Sequence, residues 1–73
     1  MPMTKEKFLK ALGKKVKTLR EAKGLSQYAF SDESGISRSQ IARLENGELN
    51  CTMSTLLSLA QTLGVEAKEL LDV

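Results

Sequence analysis

Histidine and tryptophan are absent from this chain, cysteine and proline occur once each, and aromatic residues make up only 4% of it. The missing histidine removes the commonest neutral-pH general base and any histidine-based metal site. The single cysteine, Cys51, has no internal partner, so no disulfide framework can form. A catalytic constellation is missing too, because no nucleophile–base pair and no metal cluster can be assembled from these residues; an enzyme is not expected, and neither is a cofactor. No apolar run approaches the roughly 18 residues of a membrane-spanning helix, and no signal-peptide core follows Met1. The expectation is a cytoplasmic protein, away from membranes, with Cys51 reduced.

What is present has to hold a small fold together. Seventy-three residues are one domain's worth of chain, read as a single unit over 1–73. A domain of that size buries only around 60% of its unfolded surface and leans on staples, partners or well-packed helices. With 41% hydrophobic and 27% charged residues the chain has an ordinary globular composition, rich in Leu, Ala, Lys and Glu. The net charge of +2 conceals an asymmetry. Residues 1–23 hold eight basic and two acidic residues (+6), and residues 24–73 hold three basic and seven acidic ones (−4). Nucleic acid, an anionic membrane or a head-to-tail partner would each fit that split.

Glycine punctuates the chain. Gly24, Gly35 and Gly64 each follow a helix-like run and precede an apolar residue (Leu25, Ile36, Val65), the sequence form of a helix stop with a left-handed glycine. Gly47 ends a further run, with Leu49 as its apolar follower, whereas Gly13 sits inside a run and should weaken it by about 1 kcal/mol. Between the stops the apolar spacing is helical. The first run, capped by Thr4, has Phe8, Leu12, Val16 and Leu19 on one stripe and Lys7, Lys10, Lys14 and Lys17 opposite. The second spans Ser26 to Ser34. The third opens with Ser37 and Gln40, read as a capping box in which each side chain satisfies the other residue's backbone N–H, and runs to Asn46. The fourth, capped by Thr52, is predicted to turn Met53, Leu56, Leu57, Ala60 and Leu63 inward. A last turn or two covers Ala67 to Leu71. The fold class is all-α, a compact five-helix bundle.

The second and third helices are short and joined only by Ser34-Gly35-Ile36-Ser37. A joint that brief forces a sharp crossing, so residues 26–46 form a helix-turn-helix unit. Phe30, Ile36, Ile41 and Leu44 converge on its inside, and small Ser31 allows close approach. On a wheel the third helix presents Arg38, Ser39, Ala42, Arg43 and Asn46 outward within about 140°. Those side chains suit a DNA groove: Arg bidentate to guanine, Asn to adenine or phosphate, Ala against the thymine methyl. Two of the three basic residues in an acidic half cluster here.

Leu19 to Leu71, about three-quarters of the chain, resembles the phage repressor and Cro type of helix-turn-helix domain, the XRE family. LREAKGLSQ (Leu19–Gln27), SGISRSQIARLENG (Ser34–Gly47), TLLSLAQTLGV (Thr55–Val65) and ELL (Glu69–Leu71) carry the resemblance. It implies a five-helix, lambda repressor-like fold whose third helix enters the major groove. Arg38, Ser39 and Arg43 then match base-contacting positions, with Ala42 beside them. Gln27 matches a phosphate-touching position, and Ser37, Gln40 and Asn46 match positions near the DNA backbone. Arg20 and Glu45 match a pair tying helix one to the end of helix three, with phosphate contact a secondary role for Arg20. Five positions depart from the pattern. Ser31 stands where a small alanine is usual and must bond back to its own helix; Cys51 stands for a proline, Tyr28 and Ala29 for a polar pair, and Glu66 for a hydroxyl cap.

The functional expectation is a sequence-specific transcription regulator, a repressor or autoregulator, binding double-stranded DNA as a homodimer on a pseudo-palindromic operator. The family often pairs through its C-terminal region, here Leu70, Leu71 and Val73 with parts of the Leu49–Thr55 loop. The alternative is the antitoxin of a toxin–antitoxin pair, with a toxin protein as partner. The lysines of the first helix are read as its solvated side, and Cys51 as an inert thiol, since no basic residue neighbours it in sequence.

Overall fold

The computed structural model describes residues 4–48 and 51–73. Leu49, expected as an apolar follower and as part of a pairing loop, lies outside them, as do Met1 and Met3. Five α-helices are found among the described residues and no strand: α1 Lys5–Ala22, α2 Gln27–Ser34, α3 Arg38–Glu45, α4 Met53–Leu63 and α5 Ala67–Leu70. Hydroxyls start four of them. Thr4, Ser26, Ser37 and Thr52 each accept a hydrogen bond from the backbone N–H three residues on, satisfying one otherwise unpaired donor of the first turn. Glu66 precedes α5 without a side-chain cap bond, and α5 is a single turn.

The core is apolar and belongs to every helix. Leu12 and Val16 of α1, Phe30 of α2, Ile41 and Leu44 of α3, Leu56, Leu59, Ala60 and Leu63 of α4, and Leu70 of α5 are all buried. Phe8, Leu19, Leu25, Ile36, Val65 and Ala67 close its edges. The lysines at 7, 10, 14 and 17 are exposed, so the α1 stripe and its wet side divide as the spacing predicts. The inner face of α4 is different. Met53 and Leu57 are exposed, at 68% and 49%, and Leu59 takes the inward place. Leu56, Leu59, Ala60 and Leu63 lie within an arc of about 100°, and Leu57 falls outside it. Met53 is near that arc in angle, in the first turn of α4, yet its side chain stays exposed.

The α2–α3 joint is built from hydroxyls as well as glycine. Gly35 holds φ +78°, a left-handed conformation open to glycine at little cost. The Ser34 hydroxyl accepts the Ile36 N–H at 3.2 Å. Ser31 donates forward to the Ile36 carbonyl, not back into its own helix, so its hydroxyl pins the turn rather than bending α2. At Ser37 half of the expected capping box forms. The Gln40 N–H reaches Ser37 Oγ at 3.2 Å, while Gln40 Oε1 accepts from the Ser37 hydroxyl at 3.3 Å instead of from its backbone.

Gly13 explains itself only in three dimensions. A Cβ there would collide with the Leu44 carbonyl and lie 2.7 Å from the Glu45 carbonyl oxygen. Gly47, just past α3, is the reciprocal contact: its Cβ would lie 2.9 Å from Lys10 Cα. The backbones of α1 and of the end of α3 therefore touch with nothing between them.

Candidate nucleic-acid interface

Glu45 is the one acid on α3, and it points inward. Arg20 Nε donates to its Oε2 at 2.7 Å and Nη2 to its Oε1 at 3.1 Å, a bidentate pair from α1 to the last turn of α3. Arg20 Nη1 donates to the Leu25 carbonyl at 2.7 Å, holding the turn that leads into α2. Gln27 Nε2 adds a bond to Glu45 Oε1 at 3.0 Å from the first residue of α2. Arg20 and Glu45 are each only 7% exposed, so this is a buried pair and not a surface bridge. Hydrogen bonding to Glu45 holds the Arg20 pKa above its ordinary value against the opposing pull of desolvation, with the Glu45 and Glu21 charges adding to it. With Nε and both terminal nitrogens engaged, Arg20 is committed to the fold and has little left to offer a phosphate.

Neutralising Glu45 leaves α3 with two free charges, both positive and both outward. Arg38, Ser39, Arg43 and Asn46 are exposed on one face, and Ala42 is half-buried among them. Gln40 is exposed about 60° beyond Arg43, on the flank. Ser37 is exposed and bonded to Gln40. Gln27 is half-buried, and among the described residues its amide nitrogen makes one bond, to Glu45. Leu70 is a correction: it is fully buried in the core, because the single turn of α5 folds it under α4, and it has no surface to give a partner. Leu71 and Val73, at 40% and 38% exposure, are the C-terminal apolar residues left on the outside.

One contact on this face is not legible in the spacing. The Arg38 guanidinium lies over the ring of Tyr28, with Cζ 5.3 Å from its centroid. The only signal for it is an aromatic at the exposed start of a short polar helix, in a chain with three aromatics.

A glycine-turned pair of short helices, with the second clamped at its far end and basic on its open side, is the architecture matched by the helix-turn-helix family model (HTH_3) over residues 16–70. The chain belongs to the helix-turn-helix family. An HTH-type transcriptional regulator of Sinorhizobium fredii, y4dJ, is 43% identical over 61 residues, 84% of this chain and 79% of its own length. The control protein C.SmaI of Serratia marcescens is 37% identical over 60 residues, 82% of this chain and 71% of its own. Among solved structures, the restriction-modification controller protein C.AhdI of Aeromonas hydrophila superposes with a TM-score of 0.83 at 39% identity, covering 85% of this chain and 94% of that one. Among the described residues no helix is long and apolar enough to cross a membrane.

Proposed function

We propose that this helix-turn-helix chain regulates transcription by seating α3 in the major groove of a pseudo-palindromic operator. Arg38, Ser39, Ala42 and Arg43 meet base edges, and Gln27, Ser37, Gln40 and Asn46 meet the DNA backbone. The observation that carries this reading is the charge of α3: its lone acid is turned inward and paired, so the exposed face is cationic and rich in hydrogen-bond donors. Each arginine fork matches guanine O6 and N7. A single copy makes few phosphate contacts, so tight binding at physiological salt calls for two copies on one site, paired through Leu71 and Val73. Regulators, repressors and control proteins of similar sequence support the regulatory role. A control protein and a restriction-modification controller protein of similar sequence fit that role. Neither they nor the regulator from Sinorhizobium fredii is named for binding a toxin, and the antitoxin alternative is left without a supporting observation.

Selection of binding sites from random duplexes with the purified protein tests the reading. The expected product is an inverted repeat with a guanine in each half-site. Recovery of A·T-only sites would refute the roles of Arg38 and Arg43.

A further inference from the structure

Tyr28 occupies an unusual place for an aromatic, 67% exposed at the second residue of α2. What it touches is Arg38, the first residue of α3, across a hollow of about 230 Å³ that Ser31 and Asp32 also line. The 5.3 Å separation from guanidinium carbon to ring centroid is within the range of a cation–π contact, about 6 Å. Asp32 is at hand as a competitor, yet it forms no ion pair with Arg38. The difference matters chemically. A carboxylate takes up the N–H edge of a guanidinium, whereas a ring covers its face and leaves the donors of the edge uncommitted. Arg38 makes no side-chain hydrogen bond among the described residues. It therefore stands oriented and unspent.

We propose that Tyr28 is a positioning residue for base recognition, stacking Arg38 so that its N–H edge is presented to the major groove before DNA arrives. The inference rests on α3 docking in that groove and adds that the guanine preference of Arg38 depends on a ring in α2. An arginine free to rotate has to be ordered when it binds, and that ordering weakens binding. Stacking on Tyr28 meets part of the ordering in the free protein.

A double-mutant cycle tests it. Dissociation constants are measured for wild type, Tyr28→Ala, Tyr28→Phe, Arg38→Ala and the Tyr28→Ala/Arg38→Ala pair. The probes are the selected duplex and the same duplex with 7-deazaguanine replacing the guanine assigned to Arg38. From the strength of an exposed cation–π contact, Tyr28→Ala should weaken binding to the selected duplex by about two- to fivefold per half-site, and Tyr28→Phe by less than about twofold. The Tyr28→Ala loss should shrink on the 7-deaza duplex, which lacks guanine N7 but keeps O6, and vanish in the Arg38→Ala background. Because Tyr28 is on the surface, thermal melts of all variants should coincide with wild type. Wild-type affinity in Tyr28→Ala, an equal loss in the Arg38→Ala background, or failure of phenylalanine to restore binding each overturns the proposal. The base-reading role of Arg38 is judged separately: it falls if Arg38→Ala alone keeps the full guanine preference.

Discussion

Arg38 and Arg43 differ from Arg20 in surroundings and not in chemistry. All three carry the same fork, but Arg20 meets a carboxylate and a carbonyl within the fold, while the other two are open to solvent. Replacing Arg38 or Arg43 by alanine should weaken binding to the preferred operator by about 1–3 kcal/mol each and relax base preference at one position per half-site. Quantitative mobility shifts on operator variants read both effects, and unchanged preference would remove the arginine from the interface. Gly13 poses the opposite case, where a residue acts by having no side chain. Helix propensity favours alanine over glycine by about 1 kcal/mol, yet Gly13→Ala should lower the melting temperature, because its methyl must displace the Leu44 and Glu45 carbonyls. A raised melting temperature would show that the α1–α3 contact relaxes freely. The arginines are readable from a helical wheel, since their meaning is where they point. Gly13 is not, because its reason lies some thirty residues away in sequence. Cys51 is half-buried, and that burial pushes its thiol pKa upward, favouring the protonated thiol over the thiolate.

At the scale of elements, boundaries were legible because chemistry marks them. Thr4, Ser26, Ser37 and Thr52 are caps, and glycine follows α2 and α4 directly. Which face of a helix is buried was legible only where the helix crosses its neighbours along its length. For α4, periodicity places Met53 near the stripe but cannot say that its side chain stays exposed, and it undervalues Leu59. The Arg20–Glu45 pairing is legible through the resemblance alone, since a helical wheel cannot name a partner on another helix. That pair sets how firmly α3 is held. Glu45→Ala leaves a buried guanidinium facing the Leu25 carbonyl without its carboxylate. Loss of one partner from a buried pair typically lowers stability by about 3–5 kcal/mol, a large part of what a domain this size has. Urea titration should show the midpoint falling sharply; an unchanged midpoint would mean that the pair is idle. Gln27 should feel the same substitution, since its amide leans on Glu45 Oε1.

For the whole molecule, the charge split resolves into two unequal parts. The +6 of residues 1–23 is largely the exposed lysine side of α1, where the Lys10–Glu6 pair at 3.9 Å is solvated and contributes little to stability. Those lysines can raise the rate of encounter with DNA without choosing a sequence. On the proposed reading selection falls to α3, and a regulator reading two half-sites has a geometric signature. Two copies of α3 on one face of the duplex require half-site centres about 34 Å apart. Inserting roughly five base pairs, half a helical turn, between the half-sites should abolish cooperative binding, and inserting about ten should restore part of it. Indifference to spacing in footprinting would mean that the copies bind independently.

The bare contact between Gly13 and the end of α3 has a consequence for descent. A helix seated backbone to backbone takes its angle from main-chain atoms that every sequence shares, and not from the side chains it displays. Exposed positions such as 38, 39 and 43 can then drift with little penalty to folding. The same scaffold can be handed from one operator to another by a few substitutions, so related chains with closely similar folds are free to recognise unrelated DNA.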